Sequence, residues 1–175
     1  EYPGHFDGAQ IHSHQYRTPF EPVDCIGKRV LVVGMGNSAM DIASELAQRP
    51  MAEKLFVSTR RGVWIFPKYY RGQPLDKNPA PAWLPKGIKQ WLGARMVKGL
   101  VGKMSDYGLP EPEIGPFESH GTVSGEFLVR AGSGDINMKP AVERLDGDGV
   151  VFTDGSREKV DVIVWATGYD ISFPF

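Results

Sequence analysis

Two short stretches carry residue types and spacings suited to holding phosphate. The first is Gly34-Met35-Gly36-Asn37-Ser38-Ala39, a G-x-G-x-x-A run. In such a run the first glycine permits a tight turn and the second lets the backbone approach a pyrophosphate, while a small third residue keeps the following helix close to its sheet. The N–H groups of the helix start would then face the phosphates. Asn37 and Ser38 are candidate phosphate donors, although the same residue types are simply good helix starters. The second stretch is Ser58-Thr59-Arg60-Arg61. An NAD site usually has Asp or Glu about 20 residues after the glycine turn, bonded to the ribose 2′-hydroxyl. No acid stands here. Two hydroxyls and two guanidiniums suit a 2′-phosphate instead, which Arg can grip with two parallel hydrogen bonds. The reading is NADP rather than NAD; a ligand-free turn and a solvated basic loop are the plain alternatives.

The elements that must position these residues are legible around them. Arg29-Val-Leu-Val-Val33 is a β-branched run without a polar break, as expected of a strand buried on both faces in a parallel sheet covered by helices. It ends at Gly34. Ala39, Ile42, Ala43, Leu46 and Ala47 then form one apolar stripe at helical spacing, and Pro50 closes the pattern. Residues 54–57 are a second strand candidate, so strand, helix and strand make a βαβ unit. Residues 1–27, rich in His, Pro and Gly, read as loop or linker. The middle, about 67–121, holds most of the prolines and reads as an insertion. Within it Ile88, Trp91, Leu92, Val101 and Met104 approximate a helical stripe. A short helix is expected over 122–130, capped by Thr122 or Ser124. Short strands follow at 136–139 and 142–145. A hairpin turns at Asp154-Gly155, and 160–165 is a last, central strand. The fold class is α/β: a Rossmann-like, doubly wound NADP-binding domain over 28–175 with a helical insertion and an antiparallel β-hairpin.

Composition sets the limits. The 175 residues carry 20 Lys plus Arg against 21 Asp plus Glu, which gives no bulk charge to recruit nucleic acid. The lone Cys25 excludes an internal disulfide framework and suits a reducing, cytoplasmic setting. The longest apolar stretch, 162–166, is far too short to cross a bilayer, and no secretory leader is expected. His12 and His14 have no third or fourth ligand nearby, and Asp146 and Asp148 lack the later ligands of a calcium loop, so no metal site is expected. Residues 86–104 hold five basic side chains and no acid. A lid or packing segment over the cofactor cleft is expected there rather than a membrane contact. Trp64, Trp83 and Trp91 read as core or interface residues.

A family resemblance now becomes specific. Phe6-Asp-Gly8-Ala-Gln-Ile-His12-Ser-His-Gln-Tyr16 fits the fingerprint F-x-G-x-x-x-H-x-x-x-W/Y of the flavin-containing monooxygenases, the class B flavoprotein monooxygenases. The Gly34 turn resembles their second dinucleotide motif, and Ala166-Thr167-Gly168-Tyr169 their A-T-G-[YF] motif. Ser58-Thr-Arg-Arg-Gly-Val-Trp64 is similar to the same group. The fingerprint ending in Tyr16 resembles the N- and S-oxygenating members, whereas Baeyer–Villiger enzymes usually carry Trp. Ala39 stands where many members have Gly.

The resemblance implies an NADPH-binding portion that works with FAD. NADPH held at the Gly34 turn would reduce FAD, O2 would be activated as a C4a-(hydro)peroxyflavin, and an amine or sulfide would take one oxygen atom. The protein's part is to orient the rings and exclude water. No FAD-binding turn precedes Glu1, so FAD is expected to be held mainly by another domain of the full-length protein. No catalytic acid–base pair is expected within these residues. His12 and Tyr16 would fix the linker between domains, and Thr167 and Gly168 would lie where the chain crosses back. The alternatives are a Baeyer–Villiger enzyme and, for the isolated chain, a non-catalytic NADP-binding module. A disulfide reductase shares the plan but needs a cysteine pair. Substrate identity and self-association are left open.

Overall fold

The computed structural model describes residues 2–49, 51–77, 83–116 and 121–168. Pro50 and Tyr169, both named above, lie outside them. In chain order the elements are β1 (Gly4–Phe6), β2 (Ala9–His12), β3 (Arg29–Val33), α1 (Asn37–Leu46), β4 (Lys54–Ser58), β5 (Ile65–Phe66), β6 (Tyr69–Tyr70), β7 (Gln73–Pro74) and α2 (Lys86–Val101). There follow β8 (Thr122–Val123), α3 (Phe127–Gly132), β9 (Asn137–Lys139), β10 (Val142–Gly147), β11 (Gly149–Phe152), β12 (Arg157–Lys159) and β13 (Val162–Trp165). They divide into two compact units, one built from Glu1–Arg60 with Asp135–Phe175 and the other from Arg61–Gly134.

The first unit is organised by a five-stranded sheet in the order β2-β13-β3-β4-β9, parallel throughout. Side chains alternate across a strand, and that alternation sorts its residues into two layers. Leu31, Val33, Phe56 and Ile163 join one buried cluster with Phe6, Val142, Leu145, Val150, Phe152 and Val160. All of these partners but Val160, which follows β12, come from a second sheet, β1-β10-β11-β12. The other face receives α1, which contacts β3 and β4. Its expected stripe of Ala39, Ile42, Ala43, Leu46 and Ala47 is buried throughout. The Rossmann-like class holds, with one difference of construction: the second face of the central sheet is covered by β-strands where helices were expected. The hairpin forms as read, with Gly155 at φ +80 and the Asp154 carboxylate accepting from the Ser156 N–H and hydroxyl.

Residues 1–27 are not irregular throughout. β1 extends the second sheet by pairing parallel with β10, and β2 forms the edge of the central sheet beside β13. The strands are three and four residues long and carry one buried side chain each, so no alternation could announce them.

The Glu158 carboxylate ties the two sheets through two lysines. Lys139 on β9 donates to Glu158 on β12 at 2.6 Å, and Lys54 lies 3.7 Å from the other carboxylate oxygen. The Lys139 hydrogen bond holds the Glu158 carboxyl below its usual value of 4.5, against a smaller opposing effect of burial. A carboxylate so lowered stabilises the fold above its unfolded value and loses that contribution as pH falls through the folded one. Glu158→Gln is therefore expected to flatten the decline of stability below about pH 5 in denaturant titrations. An unchanged acid limb would deny the pair that role.

The second unit is broader than the expected insertion at 67–121. β5 pairs parallel with β8, and β6 antiparallel with β7 across Arg71 and Gly72, both at positive φ as a tight hairpin turn requires. Trp64 is buried, its indole N–H donating to the Ile114 carbonyl at 2.7 Å. Thr122 lies in β8 rather than capping a helix, while the Ser124 hydroxyl accepts from the Phe127 N–H at the start of α3.

The expected stripe of α2 is half corrected. Of its members, Val101 and Met104 (just past the helix end) are buried, as is Val97, which the stripe did not include, but Ile88, Trp91 and Leu92 are exposed. Nine residues separate Ile88 from Val97, a half-turn around a helix with 3.6 residues per turn. The helix is apolar on two opposite faces, and periodicity could not say which would be covered. Trp91 (61% exposed) and Trp83 (81%) are accordingly not core residues within this chain.

Candidate functional site

Because all five strands of the central sheet run the same way, their C-terminal ends meet along one rim. β3 has β4 on one side and β13 on the other, so chain order reverses at β3. In open α/β sheets, ligands bind outside the carboxyl ends of strands at such a reversal. The sequence motifs converge there.

Gly34 leaves β3 at φ +130, with its N–H donating to the Ser58 carbonyl at 2.9 Å. A Cβ at this position would sit 2.1 Å from the carbonyl oxygen of Ala166. Only glycine satisfies both the dihedral and the approach. Ala166 in turn donates from its N–H to the Val33 carbonyl at 2.8 Å. The glycine turn and the A-T-G motif are thus two halves of one structure.

Gly36 precedes the first turn of α1 in extended conformation, φ −80 and ψ 177. A Cβ there would meet nothing within 4 Å. The helix start carries no side-chain cap bond and no carboxylate in its first turn. A pyrophosphate brought to this point would meet neither a steric nor a charge obstacle, so the residues present fit the phosphates of a dinucleotide. Asn37 is exposed, Ser38 half-buried, and Ala39 wholly buried beneath the turn.

The end of β4 departs from the reading of the sequence in one respect. Ser58 is 1% exposed, and its hydroxyl donates to the Pro140 carbonyl at 2.6 Å. A hydroxyl has one hydrogen, so Ser58 cannot also donate it to a phosphate. Thr59 is buried too, its N–H bonded to the Lys139 carbonyl. Arg60 and Arg61 are exposed, and the boundary between the two units falls between them.

The fingerprint residues act as fasteners within the first unit. Phe6 is in the core between the sheets. Gly8 allows close packing at the start of β2, where a Cβ would lie 2.4 Å from the Asp161 carbonyl oxygen. His12 ends β2 opposite Trp165. Its Nδ1 accepts from the His14 N–H at 3.2 Å, which leaves the ring hydrogen on Nε2, 3.2 Å from the Gly168 carbonyl it donates to. Tyr16 donates its hydroxyl to Glu45 of α1 at 3.0 Å. Burial, with the Glu45 charge beside it, pushes the phenol well above its ordinary value, so Tyr16 stays protonated. Residues 12–16 are fastened at one end to the A-T-G motif and at the other to the helix behind the glycine turn.

Sequence reasoning missed Glu45 and Pro140. Glu45 is one of two acids on a helix read for its apolar stripe, and Pro140 contributes only its carbonyl; neither carries a signal by residue type. The His12–His14 and Asp146–Asp148 pairs are spoken for differently. The Asp146 and Asp148 carboxylates hold Arg157 at 2.7 and 2.6 Å. Among the described residues, no three His, Cys, Asp or Glu side chains group so as to hold a metal ion. Burial pushes the Cys25 thiol up, away from its reactive thiolate. No helix among the described residues is long and apolar enough to cross a membrane.

A parallel sheet with a glycine turn at its point of reversal defines a Rossmann-like unit. The family model described as flavin-binding monooxygenase-like matches residues 1–175, and the chain belongs to that family. It is 39% identical over 185 residues to dimethylaniline monooxygenase (N-oxide-forming) 2 of Rattus norvegicus, with 99% of this chain and 33% of that protein aligned. To flavin-containing monooxygenase 1 of Homo sapiens it is 35% identical over 179 residues, covering 97% of this chain and 32% of the other. The chain therefore spans about a third of the length of these relatives. The fold is also that of cyclohexanone monooxygenase from Rhodococcus sp. Phi1, solved bound to NADP+: TM-score 0.71 at 17% identity, over 96% of this chain and 43% of that one.

Proposed function

We propose that this chain is the NADPH-binding portion of a flavin-dependent monooxygenase that oxygenates a nucleophilic nitrogen or sulfur centre. The observation that carries the reading is the meeting of Gly34 with Ala166 at the point where strand order reverses, with the open approach above Gly36 beside it. FAD and NADP(H) are the cofactors of this reading. When bound, the flavin supplies oxygen activation and the nicotinamide supplies reducing power.

This chain's own residues would do the rest. Gly34, Gly36, Asn37 and Ser38 would cradle the pyrophosphate, with Ala39 allowing the helix to approach. Thr59, Arg60 and Arg61 would provide the 2′-phosphate end, the guanidiniums by paired charge-assisted bonds. Ala166, Thr167 and Gly168 would back the turn, held in place by His12. Nitrogen or sulfur oxygenation draws support from the N-oxide-forming relative and from Tyr16 in the fingerprint. A Baeyer–Villiger reading has the shared fold behind it and nothing more specific.

The test is calorimetric titration of NADPH and NADH into the wild type and into Arg60→Ala/Arg61→Ala. The wild type should prefer NADPH, and the double variant should lose roughly 10- to 100-fold of NADPH affinity while its weaker NADH binding stays unchanged. Equal loss for both nucleotides would remove the arginines from the 2′-phosphate. Absence of binding by a folded wild type would end the dinucleotide reading.

A further inference from the structure

The buried hydroxyl at the end of β4 has no place in a site where it was expected to touch phosphate, yet it occupies the junction of three segments that build that site. Ser58 accepts the Gly34 N–H on its carbonyl at 2.9 Å, pairs with Lys139 across the β4–β9 ladder, and donates its hydroxyl to Pro140 at 2.6 Å. Thr59 adds a backbone bond to the Lys139 carbonyl at 3.1 Å. Beyond Lys139 the ladder cannot continue in the usual way, because Pro140 has no N–H to offer. The Ser58 side chain supplies the next tie between the two strand ends. Arg60 follows two residues on, where regular pairing has stopped.

We propose that Ser58 is a positioning residue that sets nucleotide selectivity: by tying the exit of β4 to Pro140 it fixes the backbone from which Thr59 and Arg60 reach the 2′-phosphate. The proposal rests on the NADPH reading above and changes the part Ser58 plays in it, from ligand to support. A guanidinium can form two parallel bonds to a phosphate only in a narrow geometry, and displacements near 1 Å forfeit much of their worth. Ser58→Ala deprives the carbonyl of half-buried Pro140 of its donor and releases the strand end. NADPH carries the 2′-phosphate and NADH does not, so the effect must fall on one nucleotide.

The experiment is titration of NADPH and NADH into the wild type, Ser58→Ala and Ser58→Thr, with thermal unfolding of each. Ser58→Ala should weaken NADPH roughly five- to tenfold and change NADH less than about twofold. Ser58→Thr keeps the hydroxyl in a strand position that tolerates β-branching, and should restore the preference. Should Ser58→Ala fail to fold, Ser58→Cys, a near-isosteric weak donor, should show the same selective loss at smaller size. Parallel weakening of both nucleotides, or an unchanged NADPH affinity, overturns the proposal and leaves Ser58 a purely structural residue. A wild type that binds neither nucleotide, or both equally, overturns the NADPH reading itself, and this proposal with it.

Discussion

Gly34→Ala is expected to abolish dinucleotide binding and to destabilise the first unit by at least about 2 kcal/mol, because it combines an unfavourable positive φ with a backbone collision. Its Cβ would be driven to 2.1 Å from the Ala166 carbonyl oxygen, and neither backbone can yield without breaking the Gly34–Ser58 or Val33–Ala166 bonds. Gly36→Ala is the informative contrast. Its φ of −80 suits any residue, and its Cβ would touch nothing in the chain. Stability should stay within about 0.5 kcal/mol of the wild type while nucleotide affinity falls, since the methyl group occupies the approach to the pyrophosphate. Thermal unfolding and titration of both variants separate the two glycines. Gly36→Ala binding NADPH as tightly as the wild type would place the phosphates elsewhere.

The second large effect concerns the sheet that closes the far face. Phe152 is wholly buried on β11, in the cluster that includes Leu31, Phe56 and Ile163 of the central sheet. Its ring also lies 5.6 Å from the Lys139 ammonium. Phe152→Ala should cost about 3–5 kcal/mol through lost burial and the cavity left behind. Small domains hold only about 5–15 kcal/mol in total, so the loss should be plain as a lower denaturation midpoint. A cost below about 1 kcal/mol would mean that the two sheets do not share a core at this residue.

What was legible in the sequence had a periodic cause. Arg29–Val33 and Val162–Trp165 are buried on both faces and read as unbroken apolar runs; α1 is buried on one side and reads as a stripe. The glycine turn was legible because its residue types are dictated by sterics. β1 and β2 were not, because three or four residues paired with partners far along the chain leave no local pattern. The buried face of α2 was hidden by a second apolar face on the same helix. Ser58 misled for another reason: a hydroxyl beside arginines has the chemistry of a phosphate ligand, and only the position of the Pro140 carbonyl reveals where its hydrogen goes.

β2 and β3 do not pair with each other; β13, the last strand described, lies between them. Until residues 162–165 are synthesised, both earlier strands have an open edge toward the position β13 will fill, and open edges are templates for pairing with other chains. The His12–Gly168 bond closes across 156 residues of sequence, a separation that slows folding. A ribosome that stops short of Val162 would release a chain whose central sheet is in two pieces and whose Gly34 has no Ala166 to lean on. The Gly34 turn lies far ahead of β13 in the sequence, yet its supporting contact exists only once β13 is in place.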